Sequence, residues 1–231
     1  MFSGNSNYAN SVDTAFMVVM VISVAFLVLI TFLMIFFVIK YNKKRHPKAV
    51  NIHGNIPLEV TWTVIPTLLV LVMFWFGWVA YKDMTTIPKD SMVIDLTAQM
   101  WHFKFKYQTG LQTDTLYVPV KTPVKINLHS LDVNHALFIP AFRLKKDVIP
   151  NRTNVAFFNA EKIGSYDIAC AEYCGLNHSH MYTKVVVMPV NDFNNWLNKM
   201  TPKTSSDSTS ASENSEMKEE NSMQSDSTKQ K

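Results

Sequence analysis

Cysteine is nearly absent from this chain: there are two, Cys170 and Cys174, and both lie in the stretch CAEYCGLNHSHM, residues 170–181. A fold stapled by several disulfides is therefore excluded. No CxxCH occurs, so no haem is attached covalently, and no internal repeat is present. No Lys or Arg precedes Lys40, and no charged residue falls between Ala15 and Ile39. The first of these absences removes the basic start that a secretory signal peptide requires, and the apolar run is longer than the roughly 7–15 residues of such a peptide. The second removes the charged face of an ordinary amphipathic helix.

The run AFMVVMVISVAFLVLITFLMIFFVI, residues 15–39, is apolar apart from Ser23 and Thr31. It exceeds the roughly 20 residues needed to cross a bilayer core and reads as a retained span. A second run, VTWTVIPTLLVLVMFWFGWVA from Val60 to Ala80, is also long enough, with Pro66 as an expected local kink. Between them KYNKKRHPKAVNIHGN carries Lys40, Lys43, Lys44, Arg45 and Lys48, whereas residues 1–14 carry no basic side chain. Basic loops stay on the cytoplasmic side, so the N-terminus and everything after about residue 82 are expected outside. The lipid bilayer is thus a partner. The net charge of +4 reflects this topology and gives no ground for nucleic-acid binding.

From Met92 onward the pattern becomes short and β-like. In SMVIDLTAQMWHFKFKY, Trp101, Phe103, Phe105 and Tyr107 alternate with His102, Lys104 and Lys106. TPVKINLHS, TNVAFFNA, GSYDIA and TKVVVMPV are further strand candidates, and NDFNNWLNKM reads as a short closing helix. The expected fold is a membrane α-helical hairpin followed by an all-β barrel or sandwich domain. Its boundaries are an extracytoplasmic N-terminus over 1–14, spans over 15–39 and 60–81 joined by a cytoplasmic loop over 40–59, a β domain over 82–200, and a tail over 201–231. That tail is rich in Ser, Thr, Glu and Lys with no aromatic residue, a composition that predicts disorder.

The stretch at 170–181 admits several readings. Two close thiols in an oxidising compartment tend to pair as a disulfide. Positions 170, 174, 178 and 181 would line one helix face, but strand-like runs on both sides and Gly175 favour a loop. Structural zinc needs four ligands and rarely takes methionine. Thiolate, imidazole and thioether together suit copper. A mononuclear blue site needs one thiolate, and this stretch has two. Two thiolates bridging two copper ions would need a second histidine from elsewhere. His135, at the end of a strand-like run in LDVNHALFIPAFRLKKDVIPNR, is a candidate, although a lone histidine there is more often a core or turn residue.

Two amino-terminal spans, then DVNHALFIPAFRLKKDVIPNR, then C-x-E-x-C-x3-H-x2-M ahead of a terminal strand, resemble subunit II of haem–copper cytochrome c oxidases over roughly residues 15–200. The resemblance implies a cupredoxin-like barrel holding a dinuclear copper centre, CuA. It implies that Cys170 and Cys174 bridge the ions, that His135 and His178 cap them, and that Met181 and the carbonyl of Glu172 are weak ligands. The side chain of Glu172 would also help hold a magnesium or manganese ion against subunit I. His180 falls outside the pattern. Trp101 would receive electrons from cytochrome c, Asp132 would help dock it, and Glu59 would stand at the opening of a proton path into subunit I.

The chain departs from the family pattern in places. Phe103 replaces a second tryptophan, Met100 a glutamine, and Leu131 stands where an acid is common. With Lys104 and Lys106 near Trp101, these departures imply a donor less basic than usual or one held more by apolar contact. The function implied is electron input to a terminal oxidase that reduces oxygen in subunit I and translocates protons. Alternatives are the CuA subunit of a nitric oxide reductase and a membrane-anchored copper-delivery protein. A bacterial inner membrane is the expected location, with the mitochondrial inner membrane as the alternative.

Overall fold

In the computed structural model, residues 4–48, 50, 51 and 53–201 are described; most of the expected tail lies outside them. Two long helices come first, α1 (Ala9–Lys40) and α2 (Ile56–Thr85). At about 1.5 Å per residue each is roughly 45 Å long, well beyond the about 30 Å hydrocarbon core. The apolar run therefore defines the part in lipid, and the helices continue past it. α1 begins six residues earlier than the apolar run. Asn55 caps α2, its Oδ1 accepting from Leu58 N at 3.2 Å, with Pro57 in the first turn where a missing N–H costs nothing. Pro66 lies inside α2, which nevertheless continues as one helix to Thr85. Ile22, Ser23 and Phe26 face Pro66, Val70 and Met73 across a shallow groove. At the outer end Ser11 Oγ donates to Asp83 Oδ2 at 2.6 Å, joining the start of α1 to the last turns of α2.

The β domain is a sandwich of two five-stranded sheets, cupredoxin-like in class. The strands are β1 (Met92–Gln99), β2 (His102–Tyr107), β3 (Gln112–Thr113), β4 (Leu116–Pro119), β5 (Pro123–Ser130), β6 (His135–Ile139), β7 (Leu144–Val148), β8 (Asn154–Asn159), β9 (Gly164–Cys170) and β10 (Tyr182–Met188). One sheet runs β3-β2-β1-β5-β8 and the other β4-β10-β9-β6-β7. The β1–β5 and β4–β10 pairs are parallel and the others antiparallel. Alternation along the strands decides the core: Ile94, Leu96 and Ala98 of β1 point inward beside Phe105 and Phe103 of β2, and all five are buried. Ile94, Leu96, Phe103 and Phe105 each contribute on the order of 1.5–3 kcal/mol by leaving water, and Ala98 less. A final helix, α3 (Val190–Met200), lays Trp196 against Tyr117 and Tyr107, with ring centroids 4.4 and 5.5 Å apart.

Two features differ from the sequence expectations. Trp101 is not in line with Phe103 and Phe105; it sits with Met100 in the turn between β1 and β2. His135 opens β6 rather than closing a strand. A third feature had no expectation attached. Residues 5–8 run along the β domain as an added edge: Asn5 N donates to Ala141 O at 2.7 Å, Ser6 Oγ to Phe142 O at 2.7 Å, and Asn7 N to Asn159 O at 3.1 Å. Tyr8 is wholly buried in the domain's core, its hydroxyl donating to Phe157 O at 3.0 Å.

Candidate metal centre

Three connections meet at one end of the sandwich: the β1–β2 turn, the β5–β6 loop and the β9–β10 loop. β6 and β9 are antiparallel neighbours with Leu137 opposite Cys170. That register carries His135 alongside the chain that leaves β9 and enters the CAEYCGLNHSHM stretch. The stretch is a loop, with a single helical turn at His178–His180, which rejects the helix-face reading. Met181 then starts the return, and its carbonyl accepts from Cys170 N at 3.1 Å, closing the loop at its neck.

Inside this loop the chemistry converges. The two Sγ atoms are 3.8 Å apart and both cysteines are free, far from the about 2.05 Å of a disulfide. Cys170 Sγ lies 3.8 Å from His135 Nδ1, and Cys174 Sγ lies 3.4 Å from His178 Nδ1. Met181 Sδ is 3.8 Å from Cys174 Sγ, and the Glu172 carbonyl oxygen is 3.3 Å from Cys170 Sγ. His135, Cys170 and Cys174 are buried, and their ligand atoms lie within 4.8 Å of one another. Two thiols, two imidazole nitrogens and a thioether facing one another with little solvent form a soft donor set suited to copper.

The surroundings fix each donor. Asp132 Oδ1 lies 2.8 Å from His135 Nε2, a contact that holds the other ring nitrogen, Nδ1, toward the sulfurs. The same carboxylate accepts from Met100 N at 2.7 Å and Val133 N at 2.6 Å. Burial works against the charged carboxylate, but these two N–H donors and His135 outweigh it and hold Asp132 below its ordinary range. Burial first, then the neighbouring Cys170, push the Cys174 thiol up to about 12. Without metal the Cys174 thiol is therefore protonated at neutral pH, and a metal ion must displace that proton.

Trp101 reaches the site directly, its indole N–H donating to the Cys174 carbonyl at 3.2 Å. Gly175, with φ +114°, lies under the ring; a Cβ there would stand 3.5 Å from the indole, and the backbone angle is one that other residues rarely adopt. Glu172 turns its carboxylate outward to Lys145 Nζ at 2.7 Å, and Lys145 also meets Asp147 at 3.1 Å. His180 is exposed, and its ring Nδ1 lies 3.2 Å from Ser179 Oγ, away from the sulfurs. Glu59 is in the first turn of α2, at the opposite end of that helix from the β domain. Sequence reasoning missed Lys145, the packing of Gly175 against Trp101 and the Asp132–His135 contact. Of these only the last had a local trace, an acid three residues before the histidine in DVNH.

Residues 67–190 match the family described as cytochrome c oxidase subunit II, periplasmic domain, and residues 1–77 match its transmembrane domain. The chain belongs to the cytochrome c oxidase subunit II family. Subunit 2 from Synechocystis is 26% identical, over 82% of this chain and 72% of the relative. That from Alkalihalophilus pseudofirmus is 29% identical, over 80% and 57%. The periplasmic domain of subunit II from Bradyrhizobium japonicum superposes with a TM-score of 0.48 at 27% identity, covering 50% of this chain and 96% of that one. Membership makes the chain a subunit of an oxidase complex, anchored in a membrane by two helices with its β domain on the extracytoplasmic side.

Proposed function

We propose that this chain is the electron-input subunit of a haem–copper terminal oxidase, holding a dinuclear CuA centre that accepts electrons from a c-type cytochrome and passes them to haem in subunit I. The observation that carries this reading is the convergence of His135, Cys170, Cys174, His178 and Met181, with the Glu172 carbonyl, in one buried loop. Cys170, Cys174, His135 and His178 would hold two copper ions there, with Met181 and the Glu172 carbonyl as weak ligands, and the bound copper would supply a one-electron carrier.

The chain's own residues provide the rest. The closed loop neck and the buried β6 hold the donors before metal arrives, so little rearrangement accompanies binding. Asp132 orients His135 and is a positioning residue; its carboxylate is taken by internal hydrogen bonds and leaves little for a docking role. Trp101, half-buried and bonded to the Cys174 carbonyl, gives a short covalent and hydrogen-bonded path from the surface to a bridging cysteine. Glu172 would offer its carboxylate to a magnesium or manganese ion at the subunit I boundary in competition with Lys145. Glu59 is proposed as the opening of a proton path from the cytoplasmic side. The domain limits, spans at 15–39 and 60–81 and a copper domain over 82–200, belong to the same reading.

A copper-delivery protein uses exposed, exchangeable ligands, whereas His135, Cys170, Cys174 and Met181 are buried. Loading the full chain with copper tests the proposal. Two coppers per chain, a purple colour and a paramagnetic signal shared by both ions are expected. One copper per chain, or a blue mononuclear spectrum, would overturn it. Trp101→Phe in the assembled oxidase is expected to slow reduction by cytochrome c with the copper spectrum unchanged; unaltered reduction would remove Trp101 from the path.

A further inference from the structure

The surface around Trp101 has a composition of its own. Met100, Leu131, Tyr173 and Leu176 stand exposed around the metal loop, the last two more than three-quarters so. The acids at this end are engaged: Asp132 by Met100 N, Val133 N and His135, and Glu172 by Lys145. The outer face of β2 and its neighbours is different. Alternation that buries Phe103 and Phe105 exposes Lys104 and Lys106, and among the described residues neither meets a carboxylate within ion-pair distance. Opposite them in register are Thr97 and Asp95, and Asp95 accepts from Asn127 Nδ2 at 2.8 Å. Asp114, just past the short edge strand β3, is exposed, and among the described residues its carboxylate meets no cation within ion-pair distance. Over residues 86–200 there are twelve Lys and Arg against nine Asp and Glu.

Among the described residues, the outer face of β2 is exposed at His102, Lys104 and Lys106. β2 is separated from the edge strand β8 by β1 and β5, and β8 is the strand that lines a cleft with Tyr81, Met84 and Thr85 of α2. Lys104 and Lys106 thus lie on the side away from the spans. An apolar collar excludes water at the point of contact, and flanking charge steers encounter from a distance. Here the steering charge is positive.

We propose that the electron donor is a small redox protein with an acidic surface around an apolar cofactor edge, docking on Met100 and Trp101 with Lys104 and Lys106 steering its approach. The proposal rests on electrons entering beside Trp101. Its test uses the assembled oxidase and two c-type cytochromes of opposite net charge as probes, with reduction of the copper centre followed by stopped flow across ionic strength. Reduction by the acidic cytochrome should be fast at low salt and fall as salt rises. The double variant Lys104→Glu, Lys106→Glu should lose about tenfold of that low-salt rate, gain rate with the basic cytochrome, and match the unmodified oxidase at high salt. A basic cytochrome favoured by the unmodified oxidase, or rates independent of salt with both, would overturn the acidic donor. A small-molecule reductant separates the two readings: a centre that it cannot reduce contradicts the proposed function, whereas a centre it reduces normally leaves only the docking proposal at stake.

Discussion

Asp132 holds a donor of the candidate metal centre in place without itself facing the sulfurs. Its carboxylate accepts two backbone N–H groups and lies against His135 Nε2, which leaves Nδ1 facing Cys170. Asp132→Asn keeps the shape but loses the charge, and loss of such an outer partner weakens metal affinity by about 10–100-fold. Competition with a copper chelator should show this loss, with Asp132→Glu recovering part of it; unchanged affinity would restrict Asp132 to loop structure. Cys170→Ser and Cys174→Ser should each abolish a signal shared by two coppers, and its survival in either would contradict bridging. Cys174 also ties metal-free stability to pH. Its folded-state thiol is raised to about 12, so the stability linked to it is complete below the ordinary thiol range and drains away as pH climbs from about 9 toward 12. Urea midpoints of the metal-free protein should fall over that window, and fall less in Cys174→Ala. Copper affinity should move the other way, rising with pH as the proton to be displaced is lost.

At the scale of elements, the strands were legible where alternation was strong. Phe103, Phe105 and Tyr107 read as an inward stripe and are buried as one. Trp101 shares their spacing, but the turn at Met100–Trp101 takes it off the strand and onto the Cys174 carbonyl, a contact across 73 positions that local pattern cannot encode. The 170–181 loop was legible because its residue types are unusual and close in sequence; His135 was a candidate from chemistry alone, took its capping role from the resemblance, and is adjacent through the β6–β9 register. The segment at residues 5–8 was not legible at all. Asn, Ser and Tyr there have no periodicity, and their order comes from Asn5 N, Ser6 Oγ and Asn7 N donating to the carbonyls of Ala141, Phe142 and Asn159 far along the chain. Tyr8 anchors it from within the core. Tyr8→Phe should cost about 1 kcal/mol by leaving the Phe157 carbonyl unpaired, and Tyr8→Ala about 3–5 kcal/mol through the cavity. Denaturant unfolding of the β domain in detergent would measure both, and equal small effects would mean that the segment merely rests on the surface.

For the whole molecule, sidedness decides whether any of this chemistry can occur. The loop between α1 and α2 concentrates Lys40, Lys43, Lys44, Arg45 and Lys48, and α1 itself has no charge between Ala15 and Ile39 to fix its direction. Direction is therefore left to the loop. Two ties join the outer ends: Ser11 to Asp83, and Arg143 Nε to Asp13 Oδ1 at 2.6 Å. Both need the start of α1, the end of α2 and the β domain on one side of the membrane, so correct insertion and assembly reinforce each other. An inverted chain would leave the thiols in a reducing compartment and far from a donor outside. Replacing Lys43, Lys44, Arg45 and Lys48 together by Gln should therefore produce a mixed population, part of it with the β domain inside. Protease protection of that domain in oriented vesicles would read the fraction directly. Copper content per chain should fall in proportion to it, because each inverted molecule loses its site through location and not through any change in its ligands. A fully outside domain in this variant would show that the β domain's own translocation, rather than the loop charge, sets the topology.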